Sequence, residues 1–131
     1  MLLLSLSALL FRSNVLAARV RVRAAHTGSG GVTYSTAHLS RPTHSVVVTF
    51  QHLDRASSVT YTLSYLANDV EQGVMGSMTP TGELTDSRDL YFGTCSKGVC
   101  TPHYNISGAT LLVETTLKTG GTNTKRYVIK I

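Results

Sequence analysis

Beyond an apolar first segment, polar and apolar residues alternate with period two along most of the chain, and apolar residues almost nowhere recur at helical spacing. Arg19, Arg21 and Arg23 share one face of Ala18 to Ala24 and Val20, Val22 and Ala24 the other, which predicts a half-buried edge strand. Gly and Ser in Thr27-Gly28-Ser29-Gly30-Gly31 break the pattern, and a short strand over Val32 to Leu39 is expected before the turn Arg41-Pro42-Thr43. Val46, Val48 and Phe50 lie on one face of Ser45 to Leu53, and Val59, Tyr61, Leu63 and Tyr65 on one face of Ser58 to Leu66. With only Asp54-Arg55-Ala56-Ser57 between them, the two runs predict a hairpin. Gly73 and Gly76 in Val70 to Met78 predict a short or bulged strand, followed by a turn at Thr79-Pro80-Thr81-Gly82. Leu90 and Phe92 lead into a cysteine-bearing hairpin, and Leu111, Val113, Thr115 and Leu117 share a face after Asn105-Ile106-Ser107-Gly108. A turn at Thr119-Gly120-Gly121-Thr122-Asn123 precedes a last strand carrying Tyr127, Ile129 and Ile131. About seven short strands at regular spacing predict an all-β chain, an antiparallel Greek-key β-sandwich.

Both cysteines fall in Thr94-Cys95-Ser96-Lys97-Gly98-Val99-Cys100-Thr101. If Lys97-Gly98 is a two-residue loop, Ser96 pairs with Val99 and Cys95 faces Cys100 in a non-hydrogen-bonded pair, where Cα atoms approach to roughly 4.5 Å and a disulfide can form. Gly93 then faces Pro102, whose missing N–H removes nothing from the ladder if its other side is an edge. A three-residue turn would instead pair Cys95 with Val99 and leave two free thiols. The disulfide reading places the protein in an oxidising, extracytoplasmic compartment, secreted or in the cell envelope.

The run Leu2 to Phe11 has the length of a signal-peptide core and is too short to span a bilayer, and Ala17-Ala18 offers a cleavage site. Residues 1–18 therefore read as a signal peptide or hydrophobic leader and residues 19–131 as one domain, with membrane attachment only through an uncleaved leader. Hydrophobic residues make up 42% and charged residues 15% of the chain, with no tryptophan, a balance suited to strands with polar outer faces. The net charge of +5 is concentrated in Arg12, Arg19, Arg21 and Arg23, while His26 to Ile131 holds eight basic residues against seven acids, a net of +1. No basic stripe interleaved with aromatics runs through the body, so nucleic acid is not an expected partner.

No catalytic or metal constellation assembles from the remaining residues. His26, His38, His44, His52 and His103 are scattered without acidic neighbours at ligand spacing and read as surface or rim histidines. Ser29 lacks the strand-to-helix elbow of a nucleophile, and Glu83, Asp86 and Asp89 beside Arg88 read as a solvated loop in place of a calcium site. Asn105-Ile106-Ser107 matches the N-glycosylation pattern, which carries no meaning in a bacterial exporter. The Arg19, Arg21, Arg23 face either contacts an anionic cell wall, lipid or polysaccharide or keeps an edge strand from pairing with another chain.

The block Leu90-Tyr91-Phe92-Gly93-Thr94-Cys95-Ser96-Lys97-Gly98-Val99-Cys100-Thr101 and the closing Lys125-Arg126-Tyr127-Val128-Ile129-Lys130-Ile131 give residues 38–131 a resemblance by pattern to immunoglobulin-like or fibronectin type III-like domains. More narrowly the chain resembles short uncharacterised exported proteins of bacteria that carry one such module behind a leader. The antibody arrangement of an inter-sheet disulfide over a buried tryptophan is absent. What the resemblance implies is a scaffold for adhesion or assembly, and fold alone licenses no chemistry. The expected function is thus a non-enzymatic exported or cell-surface module, without cofactor, that binds an unknown protein or polysaccharide at the cell surface. The alternative is a carbohydrate-binding module in which exposed tyrosines, Tyr91 and Tyr104 foremost, supply stacking faces; Tyr61 and Tyr65 alternate with Val59 and Leu63 and are expected in the core.

Overall fold

The computed structural model describes residues 31–131; the expected leader and the edge strand expected over Ala18 to Ala24, with Arg19, Arg21 and Arg23, fall outside the described residues, as do His26 and Ser29. The described chain is all-β apart from one short 3-10 turn. Its strands are β1 (Ser35–Ser40), β2 (Ser45–Phe50), β3 (Ala56–Ala67), β4 (Val70–Met78), β5 (Asp86–Tyr91), β6 (Gly93–Ser96), β7 (Val99–Pro102), β8 (Ile106–Leu117) and β9 (Thr122–Val128). They form a three-stranded antiparallel sheet in the order β1-β2-β5, a four-stranded one in the order β4-β3-β8-β9, and the separate ribbon β6-β7. Seven strands build the two large sheets and the cysteine ribbon adds two more, nine among the described residues against the about seven expected.

The period-two alternation decides which side of each sheet is buried. Val46, Val48, Phe50 and Leu90 of the three-stranded sheet meet Val59, Leu63, Leu111 and Val113 of the four-stranded sheet in one core. Tyr61 and Tyr65 are also buried there, as their alternation with Val59 and Leu63 predicts. Each fully buried side chain of this size contributes about 1.5–3 kcal/mol, so this shared layer dominates stability.

The expected β2–β3 hairpin is not formed. β2 pairs with β1 and β5, whereas β3 pairs with β4 and β8, so the chain crosses from one sheet to the other between Phe50 and Ala56. His52 takes a left-handed conformation at φ 53°, and the 3-10 turn Leu53–Arg55 drops Leu53 into the core, where its N–H donates to Leu84 O at 3.0 Å. Ala56 is buried as well. A loop holding two buried side chains is an arch over the core edge. Alternation specifies the buried face of a strand and leaves its pairing partner open.

The structure revises three further expectations. Leu90 belongs to β5, and the cysteine hairpin begins at Gly93. β4 is neither short nor bulged: its register with β3 runs unbroken from Val59↔Met78 to Ala67↔Val70, through the turn Asn68-Asp69, whose φ values are 49° and 61°. The irregularities lie instead between β3 and β8, where one extra residue of β3 near Ser57 and one of β8 near Gly108 shift the pairing. The last strand ends at Val128, so Ile129 is buried beyond it and Ile131 is exposed.

Polar contacts close the flanks. Tyr127 of β9 donates its hydroxyl to Ser35 O at 2.6 Å, and Ser35 Oγ donates to Tyr127 Oη at 2.7 Å, tying β9 to β1 across the sandwich. On the other flank Arg88 Nη1 donates to Asp86 Oδ2 at 2.7 Å along β5.

Candidate functional site

Three connections meet at one end of the sandwich: the β1–β2 turn, the Tyr91–Gly93 junction and the loop that follows β7. Backbone bonds hold them together, with Phe92 N–H donating to His44 O at 3.0 Å and His103 N–H to Phe92 O at 2.9 Å. His44 reaches the required position by adopting a left-handed φ of 52° at the end of the turn that begins at Arg41. Its Nε2 donates to His103 O at 2.6 Å, since a carbonyl can only accept.

Around the His44 ring stand Phe92 at 5.7 Å, Tyr91 at 5.8 Å and Tyr104 at 6.0 Å between ring centroids. Phe92 is buried and forms the floor, Tyr91 is half-buried, and Tyr104 is 64% exposed. The structure thus brings together the two tyrosines singled out in the sequence, around a histidine that the sequence reading set aside. They line the rim of the loop end and not a flat sheet face.

Beneath this rim Tyr65 stacks edge-on against Phe92 at 4.9 Å, and its hydroxyl bonds His103 Nδ1 at 2.8 Å. Burial pushes the Tyr65 hydroxyl above its ordinary value, and a hydrogen bond from the Gly93 backbone pulls it partly back. The phenol therefore keeps its proton at neutral pH.

Gly93 is required by close approach: a Cβ there would strike Thr101 O and the Tyr91 ring. It begins β6, which with β7 forms the ribbon closed by Cys95 and Cys100. Cys95 faces Cys100 with Cα atoms 4.0 Å apart and a disulfide joining them, Ser96 faces Val99, and Gly93 faces Pro102. Lys97 at φ 51° and Gly98 at φ 78° form the two-residue turn, the geometry with both central residues left-handed that matches strand twist. Among the described residues β7 pairs only with β6, which places Pro102 on an edge there.

Between the β1–β2 turn and the start of β8, Leu39, Arg41, His44, Phe92 and Ile106 line a hollow of about 160 Å³. At roughly 30 Å³ per water this admits about five waters, well short of the 300–1,000 Å³ of an enclosing small-molecule site. The end can offer aromatic faces and one guanidinium to a partner that lies on it.

The expected solvated loop is corrected: only Glu83 lies in a loop, while Asp86, Arg88 and Asp89 belong to strand β5, paired with β2. Glu83 Oε2 accepts from Thr81 N–H at 2.9 Å and Thr81 Oγ1 at 3.0 Å, and Asp86 is engaged by Ser87 N–H and Arg88. The backbone N–H of Glu83 itself, then the Thr81 donors, hold the Glu83 carboxyl below its usual range, and Ser87 N–H, then Arg88, do the same for Asp86. Among the described residues no group of three His, Cys, Asp or Glu is placed to hold a metal ion, and no helix is long and apolar enough to cross a membrane. Asn105, of the glycosylation pattern, has its side-chain amide on Asn68 Oδ1.

His44, His103 and Tyr65 were beyond the reach of spacing, because 59 residues separate the two histidines in contact. In comparisons with known proteins, no family model, curated protein or solved structure matches the chain. What fold and site define is an antiparallel β-sandwich with an aromatic loop end beside a disulfide-closed ribbon.

Proposed function

We propose that this chain is a non-enzymatic, exported binding module of the fibronectin type III-like kind, which engages a protein or polysaccharide at the cell surface through its aromatic loop end. The two facing antiparallel sheets, β1-β2-β5 and β4-β3-β8-β9, support the kinship as a seven-stranded sandwich, with the cysteine ribbon inserted between its fifth and sixth strands. The disulfide between Cys95 and Cys100 supports an oxidising compartment.

The observation that carries the reading is the grouping of Tyr91 and Tyr104 around His44 at a loop end, with Tyr104 left 64% exposed. Rigid aromatic faces supply contact area at small entropic cost, and loops on a stiff scaffold are where binding residues concentrate. The same tyrosines favour the second reading, a carbohydrate-binding module, since a sugar ring can stack on an exposed phenol.

Binding of the purified chain to cell-envelope fractions and to a panel of soluble polysaccharides tests both. Saturable binding that Tyr104→Ala and Tyr91→Ala weaken about tenfold supports the loop end as the contact, and competition by a soluble polysaccharide selects the carbohydrate reading. Binding that both variants leave unchanged overturns the assignment of the site.

A further inference from the structure

The two large sheets end in four edges, and three of them carry devices that discourage pairing with another chain. β9 bears Lys125 and Arg126, and Lys125 Nζ and Tyr127 Oη fold over to Ser35 O at the β1 edge. β5 bears Asp86, Arg88 and Asp89, with Arg88 Nη1 on the Ser87 carbonyl at 2.9 Å. β4 has none of these. Its nine residues, Val70-Glu71-Gln72-Gly73-Val74-Met75-Gly76-Ser77-Met78, contain no proline, no basic residue, one acid and no bulge. Among the described residues it pairs only with β3. A long, flat, weakly charged edge of this kind is a template for strand addition.

We propose that β4 is a self-association edge that pairs antiparallel with β4 of a second copy, centred on Val74, and joins two four-stranded sheets into one of eight strands. The register follows from the turn. Because Asn68-Asp69 is a two-residue loop, Ala67 and Val70 exchange hydrogen bonds, and the alternation continues through Gln72, Val74, Gly76 and Met78. Glu71, Gly73, Met75 and Ser77 therefore point their N–H and C=O groups to the free edge.

Centring the two-fold on Val74 sets Glu71 opposite the partner's Ser77 and Gly73 opposite the partner's Met75, so all four free residues of each copy bond. Centring on Gly73 leaves Ser77 without a strand residue to meet, and centring on Met75 does the same to Glu71. The Val74 register also separates the two Glu71 carboxylates by six residues, about 20 Å, or about two and a half Debye lengths at physiological salt. Met75, 80% exposed on the outer face, then lies beside a glycine whose lack of side chain leaves it room.

Val74 meets its own copy in a non-hydrogen-bonded pair, where Cα atoms approach to about 4.5 Å. Val74→Cys should therefore form an intermolecular disulfide under mild oxidation, while Met75→Cys, more exposed but facing the partner's Gly73, should form several-fold less. Sedimentation equilibrium of the full chain should show a concentration-dependent dimer. Met75→Pro removes an N–H aimed at the partner and none bonded to β3, so it should weaken the dimer at least about tenfold with the circular dichroism of the folded sandwich kept. A monomer at every concentration, with β4 covered by another part of the chain or by solvent, overturns the proposal. So does equal cross-linking of the two cysteine variants, which needs no folding of the proline variant to be read.

Discussion

The Tyr61 ring lies across Gly76 on the neighbouring strand, so closely that a Cβ at residue 76 would collide with the ring. The ring fills the place of the missing side chain and continues inward to Phe50, 5.6 Å away between centroids. Gly76→Ala should cost about 1–3 kcal/mol by overpacking, read as a lower urea midpoint. Tyr61→Leu in the same background, which withdraws the ring from residue 76, should recover part of that loss in a double-mutant cycle.

Leu53 tests the arch between the sheets. It is 1% exposed and anchors the crossing from β2 to β3. Leu53→Ala should lower stability by about 2–5 kcal/mol, measured by urea denaturation. The exposed neighbour Asp54, changed to Ala, should stay within about 0.5 kcal/mol of the parent. A polar hairpin loop would give small effects at both.

Tyr65→Phe removes one hydroxyl and leaves His103 Nδ1 without its partner at 2.8 Å. A loss of about 1–2 kcal/mol is expected, together with a changed His103 ring resonance in NMR spectra.

The same hydroxyl sets an alkaline limit. Burial, offset in part by the Gly93 backbone, holds its pKa above the ordinary 10.0, so the folded chain keeps the proton more tightly than the unfolded chain. Below pH 10.0 both states are protonated and the contribution is complete; as pH rises from there through the folded value, the unfolded state ionises first and stability falls. Urea midpoints should therefore decline above pH 10.0 more steeply in the parent than in Tyr65→Phe.

The Cys95–Cys100 bridge closes a loop of very few residues, so its removal as the Cys95→Ser, Cys100→Ser pair should cost less than the ~3 kcal/mol of a fifteen-residue loop. Protection lost in hydrogen exchange should be confined to β6 and β7. Thiol counting on denatured, unreduced protein should find none, and two per chain would contradict the bridge.

Local chemistry was legible wherever a decision involves adjacent residues. The alternation at Val59, Tyr61, Leu63 and Tyr65 announces the buried face, and Lys97-Gly98 announces the turn that sets Cys95 against Cys100. Partners distant in the chain were not legible. The alternation of Ser45 to Leu53 and Ser58 to Leu66 predicts a hairpin, yet the same buried faces also serve strands of facing sheets, and the arch buries Leu53 just before the expected loop and Ala56 within it. His44 and His103 carry no mark of each other, for the backbone bonds that join them through Phe92 depend on three separate connections arriving together.

The arch also governs how fast the fold can form. Because β2 and β3 enter different sheets, neither gains its central pairing from its neighbour: Phe50 must find Asp86, and Ala67 must find Ile106. The hairpins β1–β2, β3–β4, β6–β7 and β8–β9 can close on the microsecond scale, but the two pairings that unite them each require a long loop to close first. High contact order of this kind places folding in the millisecond-to-second range. Through that interval the edges of half-built sheets stand open, so a newly made chain is at greatest risk of mispairing before β8 has docked against β3.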